Sequence, residues 1–349
     1  MSQTKNHALI IGAGVAGLTN AIHLIRAGWQ VTLVDNNINF SSRVAAGMIN
    51  PIVFRRMTKS WRADEFIPYL QSFYTSVEVA SGKPLYHPIV IRRMFSTEQE
   101  RELWIKKQDT DAFKAYMSRV TQEDDNYNRV INNCGSGRVL NAGYVDTDVF
   151  LNEGKKLVEE AGNILNEEFE YDKLNGLDYK GTTYSDVIFC EGYLGKNNPW
   201  FGNLPLNQTK GETLNIRSKK IPEDESVNRK CFILPLGNHE FKVGSTYSWH
   251  DPDTSITKLG REQILEKMSY LVDDAFEVVE QAAGVRPTTI DRRPLIGTHP
   301  DFPNYHVFNG LGTKGYLLCP LLSKEFVDYL TLGNPLNSEV DIQRVYPGR

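Results

Sequence analysis

The residues best placed to do chemistry open the chain. From His7 to Asp35 the sequence reads HALIIGAGVAGLTNAIHLIRAGWQVTLVD. The apolar run Ala8 to Ile11 feeds Gly12-Ala13-Gly14-Val15-Ala16-Gly17. Leu18, Ile22 and Ile25 then recur on one helical face, Gly28 ends the helix, and a second apolar run, Val31 to Val34, closes on Asp35. Glycines at these positions let the backbone turn tightly, approach a pyrophosphate and pack helix on strand, while the helix N-terminus offers free N–H groups to phosphate. Asp35 stands 18 residues after Gly17, close to the spacing of about 20 expected of an acid that accepts hydrogen bonds from a ribose. The whole context, not the glycines alone, predicts a dinucleotide site.

Two further stretches carry the same kind of signal. Asn36 opens a polar loop, and Ser41-Ser42-Arg43-Val44-Ala45-Ala46-Gly47-Met48 follows. Small residues this dense mark backbone that passes close to something flat or bulky, here a cofactor, with Arg43 and the serines open to a second reading as caps or solvated groups. Gly310-Leu311-Gly312-Thr313-Lys314-Gly315 repeats the glycine spacing between an apolar strand and a helix. No second apolar strand ending on an acid follows it, so it does not announce a second dinucleotide. A helix N-terminus reinforced by Lys314 instead suits negative charge such as that of a reduced flavin ring; a solvated loop lysine is the other reading.

These groups need a scaffold, and the bulk numbers allow one. The 349 residues, 40% of them hydrophobic, are enough for two cores. Lys+Arg 39 against Asp+Glu 43 gives a net charge of −4, which supplies no global field for nucleic acid or an anionic membrane. Cys134, Cys190, Cys231 and Cys319 have no paired or metal-like spacing, so reduced thiols, a cytoplasmic setting and no metal site are expected. Asn20, His23 and Arg26 interrupt the N-terminal apolar run, so neither a cleaved leader nor a membrane span is expected.

The periodicity predicts an amphipathic helix over residues 61–82, with Pro68 in its first turn or at a kink. A strand near 89–95 and a charged helix near 98–107 follow, then a helix from Val145 to Ala161 capped by Thr147 or Asp148. Ser185 to Glu191 reads as a buried strand closing on Gly192. Strands at 231–235 and 240–247, a helix over 259–272, and a final strand, loop and helix over 305–332 complete the pattern. The fold class is α/β: a Rossmann-like domain from residues 1–82, 141–205 and 284–349, interleaved with an α+β domain from 83–140 and 206–283 on a mixed or antiparallel sheet.

Taken together, GAGVAG with Asp35, Ala45-Ala46-Gly47-Met48, Val145-Asp146, Cys190-Glu191-Gly192, Lys210-Gly211-Glu212, Val243-Gly-Ser-Thr-Tyr247, Arg286-Pro-Thr-Thr-Ile-Asp291 through Pro294 and Gly297, and Gly310 to Pro320 resemble the D-amino-acid-oxidase (DAO) family of flavoproteins over nearly the whole chain. The resemblance is strongest to its glycine-oxidase-like members and to the flavin half of the enzymes that trim carboxymethylaminomethyl-uridine in tRNA. It implies FAD, a small amine or amino-acid substrate, and oxidation of a C–N bond by hydride transfer to the flavin, with hydrolysis of the imine product. Oxygen or another acceptor would take the electrons. By the same resemblance Arg286 binds a substrate carboxylate, Tyr247 lies near the substrate, and Lys314 belongs to the flavin site. Arg286 could instead hold the Asp291 turn, and Tyr247 could be core.

Two departures stand out. The family favours Glu where Asp35 stands, and Ile52 to Trp61 (IVFRRMTKSW) is unusually basic for an amino-acid pocket. No cysteine matches a flavin-linking position, so FAD is expected to be non-covalent. A tRNA-modifying reading draws on Arg55, Arg56, Lys59, Arg62, Arg92 and Arg93, against the acidic balance. An NAD-binding or non-catalytic Rossmann protein is a third reading, and it leaves the segments after Arg286 unexplained.

Overall fold

A computed structural model describes residues 6–38, 41–250 and 252–346. The expected domain segments therefore extend at both termini beyond the described residues. Two sheets organise the chain. The first has six strands in the order Asn163–Leu165, Gln30–Val34, His7–Ile11, Asp186–Phe189, Tyr305–Asn309 and Leu295–Thr298. The first five run parallel and the last is antiparallel. Its central strands read as near-continuous apolar runs because both faces are covered, as in parallel sheets generally.

Helices Val15–Arg26, Thr147–Ala161 and Gly315–Leu332 pack on one face of this sheet, with Ala63–Ser81 against the last two. The charged segment Glu98–Gln108 is also helical, as its pattern predicts. Ala63–Ser81 carries Pro68 past its first turn and ends on Gly82, whose φ of 67° is the left-handed conformation that stops a helix. The cap of Thr147–Ala161 lies one residue earlier than the sequence reading: Asp146, not Thr147 or Asp148, accepts the Val149 N–H at 3.0 Å. Thr147 is already helical, and its hydroxyl bonds the Arg43 carbonyl.

The second sheet has seven strands in the order Glu277–Thr289, Leu206–Arg217, Glu240–Gly244, Cys231–Gly237, Glu225–Arg229, Val90–Met94 and Ser136–Val139. All neighbours are antiparallel except the pair Glu225–Arg229 and Val90–Met94. Leu214, Ile216, Val227, Ile233, Phe241 and Val243 form a core on one face with Ile264 and Met268 of helix Lys258–Met268. That leaves the alternating residues Thr213, Asn228, Phe232 and Lys242 on the other face.

The expected strand 240–247 stops at Gly244, and the described residues that follow, 245–250 and 252–257, form a loop apart from one bridge of Ser248 to Lys210. The Lys210-Gly211-Glu212 motif fastens that loop. Lys210 Nζ pairs with Asp253 at 2.5 Å, while Glu212 accepts from Thr257 N, Thr257 Oγ1 and Gln281 Nε2. Glu212 thereby holds the threonine that caps the next helix.

Candidate active site

Glycine geometry builds the first end of the site. A Cβ on Gly17 would meet the Gly12 carbonyl oxygen at 1.8 Å, so helix and turn can close on each other only without one. The first intrahelical bond runs from Leu18 N to Gly14 O. The Ala16 and Gly17 amides precede it and remain as donors at the helix start. Ser42 Oγ accepts from Val15 N at 3.1 Å, which locks the small-residue segment against the glycine turn. Asp35 Oδ1 accepts from Ala13 N at 3.2 Å and Oδ2 pairs with Lys155 at 2.9 Å. Asn36 caps its own turn through Ile38 N.

A cavity of about 490 Å³ runs from this turn to the second sheet. Of the residues singled out in the sequence, Gly12, Gly14, Ala16, Asp35, Asn36, Ser42, Ala46, Gly47, Met48, Gly192, Tyr247, Arg286, Gly312, Thr313, Lys314 and Gly315 line it. Ala13, Gly17 and Gly310 lie behind the lining and shape the turns. Arg43 turns outward to ion-pair with Asp148 and bond Asn152, on the helix Thr147–Ala161. No histidine lines the cavity, and no cluster of potential metal ligands occurs among the described residues.

Charge divides the cavity. Its acids, Asp35, Glu167, Glu168 and Glu191, come from the carboxyl ends of the parallel strands or just beyond them, while Arg286 and Lys314 come from the opposite end of the chain. Burial pushes Glu191 up to about 7, against hydrogen bonds from Tyr171 and Asn198 that favour its ionised form. Burial brings Lys314 down to about 8, with nearby Arg292 adding to the effect; its ammonium bonds Ser60. A lysine desolvated beside a helix N-terminus is not a solvated loop lysine.

Arg286 lies across Gly211, where an added Cβ would come within 2.0 to 2.2 Å of its guanidinium. Its Nη2 donates to Ser245 Oγ at 2.8 Å, and its Cζ sits 4.6 Å from the Tyr247 ring centre. No carboxylate pairs with it among the described residues, and burial lowers its pKa. The Asp291 turn is held by Arg344 and by the Arg293 amide instead, so Arg286 is not consumed there. Tyr247 is 54% exposed and therefore rim, not core.

The basic stretch changes meaning in three dimensions. Arg92 pairs with Asp124 and Glu225, Arg93 with Glu100, Lys59 with Asp64, and Arg62 with Glu65 and Glu325. Of the six basic residues named above, Arg55 and Arg56 are exposed and pair with no acid among the described residues.

Sequence reasoning missed Thr213, Asn228 and Phe232 on the sheet wall and Glu167, Glu168, Phe169 and Tyr171 beyond the third parallel strand. The strand Asn163–Leu165 is only three residues long, too short to give a periodic signal. The sheet-wall residues become neighbours only through cross-strand register.

A mostly parallel sheet whose first turn presents a glycine-lined helix N-terminus to a long cavity defines a dinucleotide-binding class of oxidoreductase fold. Residues 7–329 match the DAO family, FAD dependent oxidoreductase, and the chain belongs to that family. Glycine oxidase of Bacillus licheniformis is 22% identical over 95% of this chain and 94% of its own length. The tRNA 5-methylaminomethyl-2-thiouridine biosynthesis bifunctional protein MnmC of Leptospira borgpetersenii is 24% identical over 100% of this chain and 60% of its own length. Among solved structures, glycine oxidase from Geobacillus kaustophilus superposes with a TM-score of 0.79 at 20% identity, covering 95% of this chain and 96% of that one. Iminodiacetate oxidase from Chelativorans sp. BNC1 gives 0.77 at 19% identity, covering 97% and 98%. No helix among the described residues is long and apolar enough to cross a membrane.

The residues present fit FAD. The glycine turn leaves donors for a pyrophosphate, Asp35 keeps carboxylate lone pairs for a ribose, and the Ala45 to Met48 turn faces the second sheet across the cavity.

Proposed function

We propose that this protein oxidises the C–N bond of a small amino acid or secondary amine, with non-covalently bound FAD. The observation that carries the reading is Arg286: a guanidinium without a carboxylate partner among the described residues, seated over Gly211, in the cavity that begins at the glycine turn. When bound, FAD supplies the hydride acceptor. Arg286 grips the substrate carboxylate in bidentate fashion and so fixes which C–H faces the acceptor. Ser245 and the Tyr247 ring hold the guanidinium in place.

Among the described residues no acid lines the cavity beside Arg286 and Tyr247 to retain a free ammonium, which favours the neutral amine that the reaction needs. Lys314 and the helix start at Gly315 stabilise negative charge across the cavity. Gly12 to Gly17, Asp35, Asn36, Ser42, Ala46 to Met48 and Gly192 hold the cofactor. In this reading residues 1–82, 141–205 and 284–349 carry FAD, and 83–140 and 206–283 roof the substrate. The imine product is hydrolysed, oxygen or another acceptor reoxidises the flavin, and the setting is cytoplasmic.

A tRNA-bound uridine side chain as substrate would carry the same C–N chemistry, but most of the basic cluster that would recruit tRNA is spent on internal ion pairs. The test is Arg286→Met in flavin-loaded protein. Flavin content stays, and the affinity for carboxylate-bearing amines falls by 10-fold or more, about 1.4 kcal/mol at least. Unchanged kinetics would sink the assignment.

A further inference from the structure

One registered row of the second sheet forms the cavity wall. Arg93, Asn228, Phe232, Gly244 and Thr213 stand opposite one another on five successive strands. Asn228, Phe232 and Thr213 of this row line the cavity. Directly opposed residues share a face, so the row places a polar group, an aromatic ring, a gap and a small side chain in line.

Asn228 is the polar end. Its Oδ1 accepts from Arg93 Nη1 at 2.7 Å. Arg93 is itself fixed, by Glu100 Oε1 on Nε at 2.7 Å and by the Phe54 ring 4.8 Å from its guanidinium carbon. Guanidinium only donates, so this contact commits the amide oxygen and turns the Asn228 NH2 the other way. No acceptor among the described residues takes that NH2. It is a fixed, unspent donor in the wall of the substrate cavity.

Arg286 marks the other end. Its guanidinium lies over Gly211, two residues along the strand from Thr213. From that strand to the strand of Asn228 is three inter-strand spacings, or about 14 Å at about 4.8 Å each. A free amino acid anchored at Arg286 occupies only the near part of that span. The rest, floored by Phe232, suits an apolar or planar substituent on the amine nitrogen.

We propose that Asn228, positioned by Arg93, reads the far end of the substrate, donating to a carbonyl-type acceptor on the nitrogen substituent. The preferred substrates are then N-substituted glycines or kindred secondary amino acids that carry such an acceptor, in place of free amino acids. This rests on the amine-oxidation reading above and adds the substrate class to it.

The test follows anaerobic flavin bleaching in the holoprotein with two probes that differ by one amide, N-benzylglycine and N-(4-carbamoylbenzyl)glycine. Wild type binds the carbamoyl compound about fivefold more tightly, the worth of one neutral hydrogen bond. Asn228→Leu abolishes that ratio, and Arg93→Gln, which frees the amide to rotate, reduces it. Flavin content and melting temperature report folding, with Asn228→Ala in place of Leu where Leu fails to fold. A ratio near one in wild type, or a ratio that survives in the Asn228 variants, overturns the proposal and leaves amine oxidation standing. Bleaching by glycine with both probes rejected does the same. Bleaching by no amine at all overturns the oxidation reading and this inference with it.

Discussion

The guanidinium of Arg286 occupies the place where residue 211 would carry a side chain, so the proposed carboxylate anchor depends on a hydrogen atom. Gly211→Ala forces a 2.0 Å contact that only the arginine tip can relieve. The fold should therefore survive with its flavin, while affinity for carboxylate-bearing amines drops 10-fold or more; titration of flavin absorbance with a substrate checks it.

Glu191 makes a second prediction at this scale. In the folded protein it keeps its proton up to about 7, whereas the unfolded chain releases it near 4.5. The folded state thus binds more protons between these values, and this group's contribution to stability falls as pH rises from 4.5 to 7 and then levels off. Glu191→Gln removes that penalty. Its amide can still accept from Asn198, and the Tyr171 hydroxyl can rotate to accept from it. Urea unfolding should show the variant gaining roughly 2–4 kcal/mol on wild type at pH 8, and little at pH 4.5. A difference that does not change with pH would refute the assignment.

At the scale of elements, neighbouring arginines show what a linear reading loses. Arg92 and Arg93 look like one basic cluster, but successive strand residues point to opposite faces. Arg92 goes to a buried site with Asp124 and Glu225, and Arg93 to the cavity face. Arg92→Leu leaves Glu225 buried without its cation and Asp124 with only Arg138, and denaturant unfolding should register a loss of about 3–5 kcal/mol. Pairing the change with Glu225→Gln should recover part of it.

The same contrast explains what the sequence made legible. The first glycine turn, Asp35, the helix to Ser81 and the final strand-loop-helix are local patterns, set by periodicity and punctuation within thirty or so residues. The sequence places this cap late, at Thr147 or Asp148, because Asp146, Thr147 and Asp148 are all competent caps, and in the fold the Thr147 hydroxyl is taken by the Arg43 carbonyl. Asn228, Thr213 and Phe232 carry no local mark; their meaning comes from register between strands far apart in sequence.

For the whole molecule, the cavity is walled by both sheets and edged by Ser245 and Tyr247, at the start of a loop that Lys210 and Glu212 hold down. A ligand filling it ties segments from both ends of the chain and must stabilise the native state by mass action. Free FAD at 100 times its Kd should add about 2.7 kcal/mol. Apoprotein should melt measurably lower than holoprotein, with a midpoint that climbs with FAD concentration; a midpoint indifferent to FAD would count against the site.

The central strand of the first sheet has a further consequence during synthesis. His7 N bonds Ser185 Oγ, 178 residues away, and the next strand along, Tyr305–Asn309, emerges later still. The glycine turn precedes these partners in synthesis: until Leu295–Thr298 and Tyr305–Asn309 leave the ribosome the sheet lacks two of its six strands, and until the helix Gly315–Leu332 follows them the pocket lacks the wall that Gly315 and Tyr316 supply. Contacts this distant in sequence make folding slow and leave strand edges open meanwhile. A complete pocket therefore waits for residues up to Tyr316, and the early helix must wait for these partners with its amides uncovered.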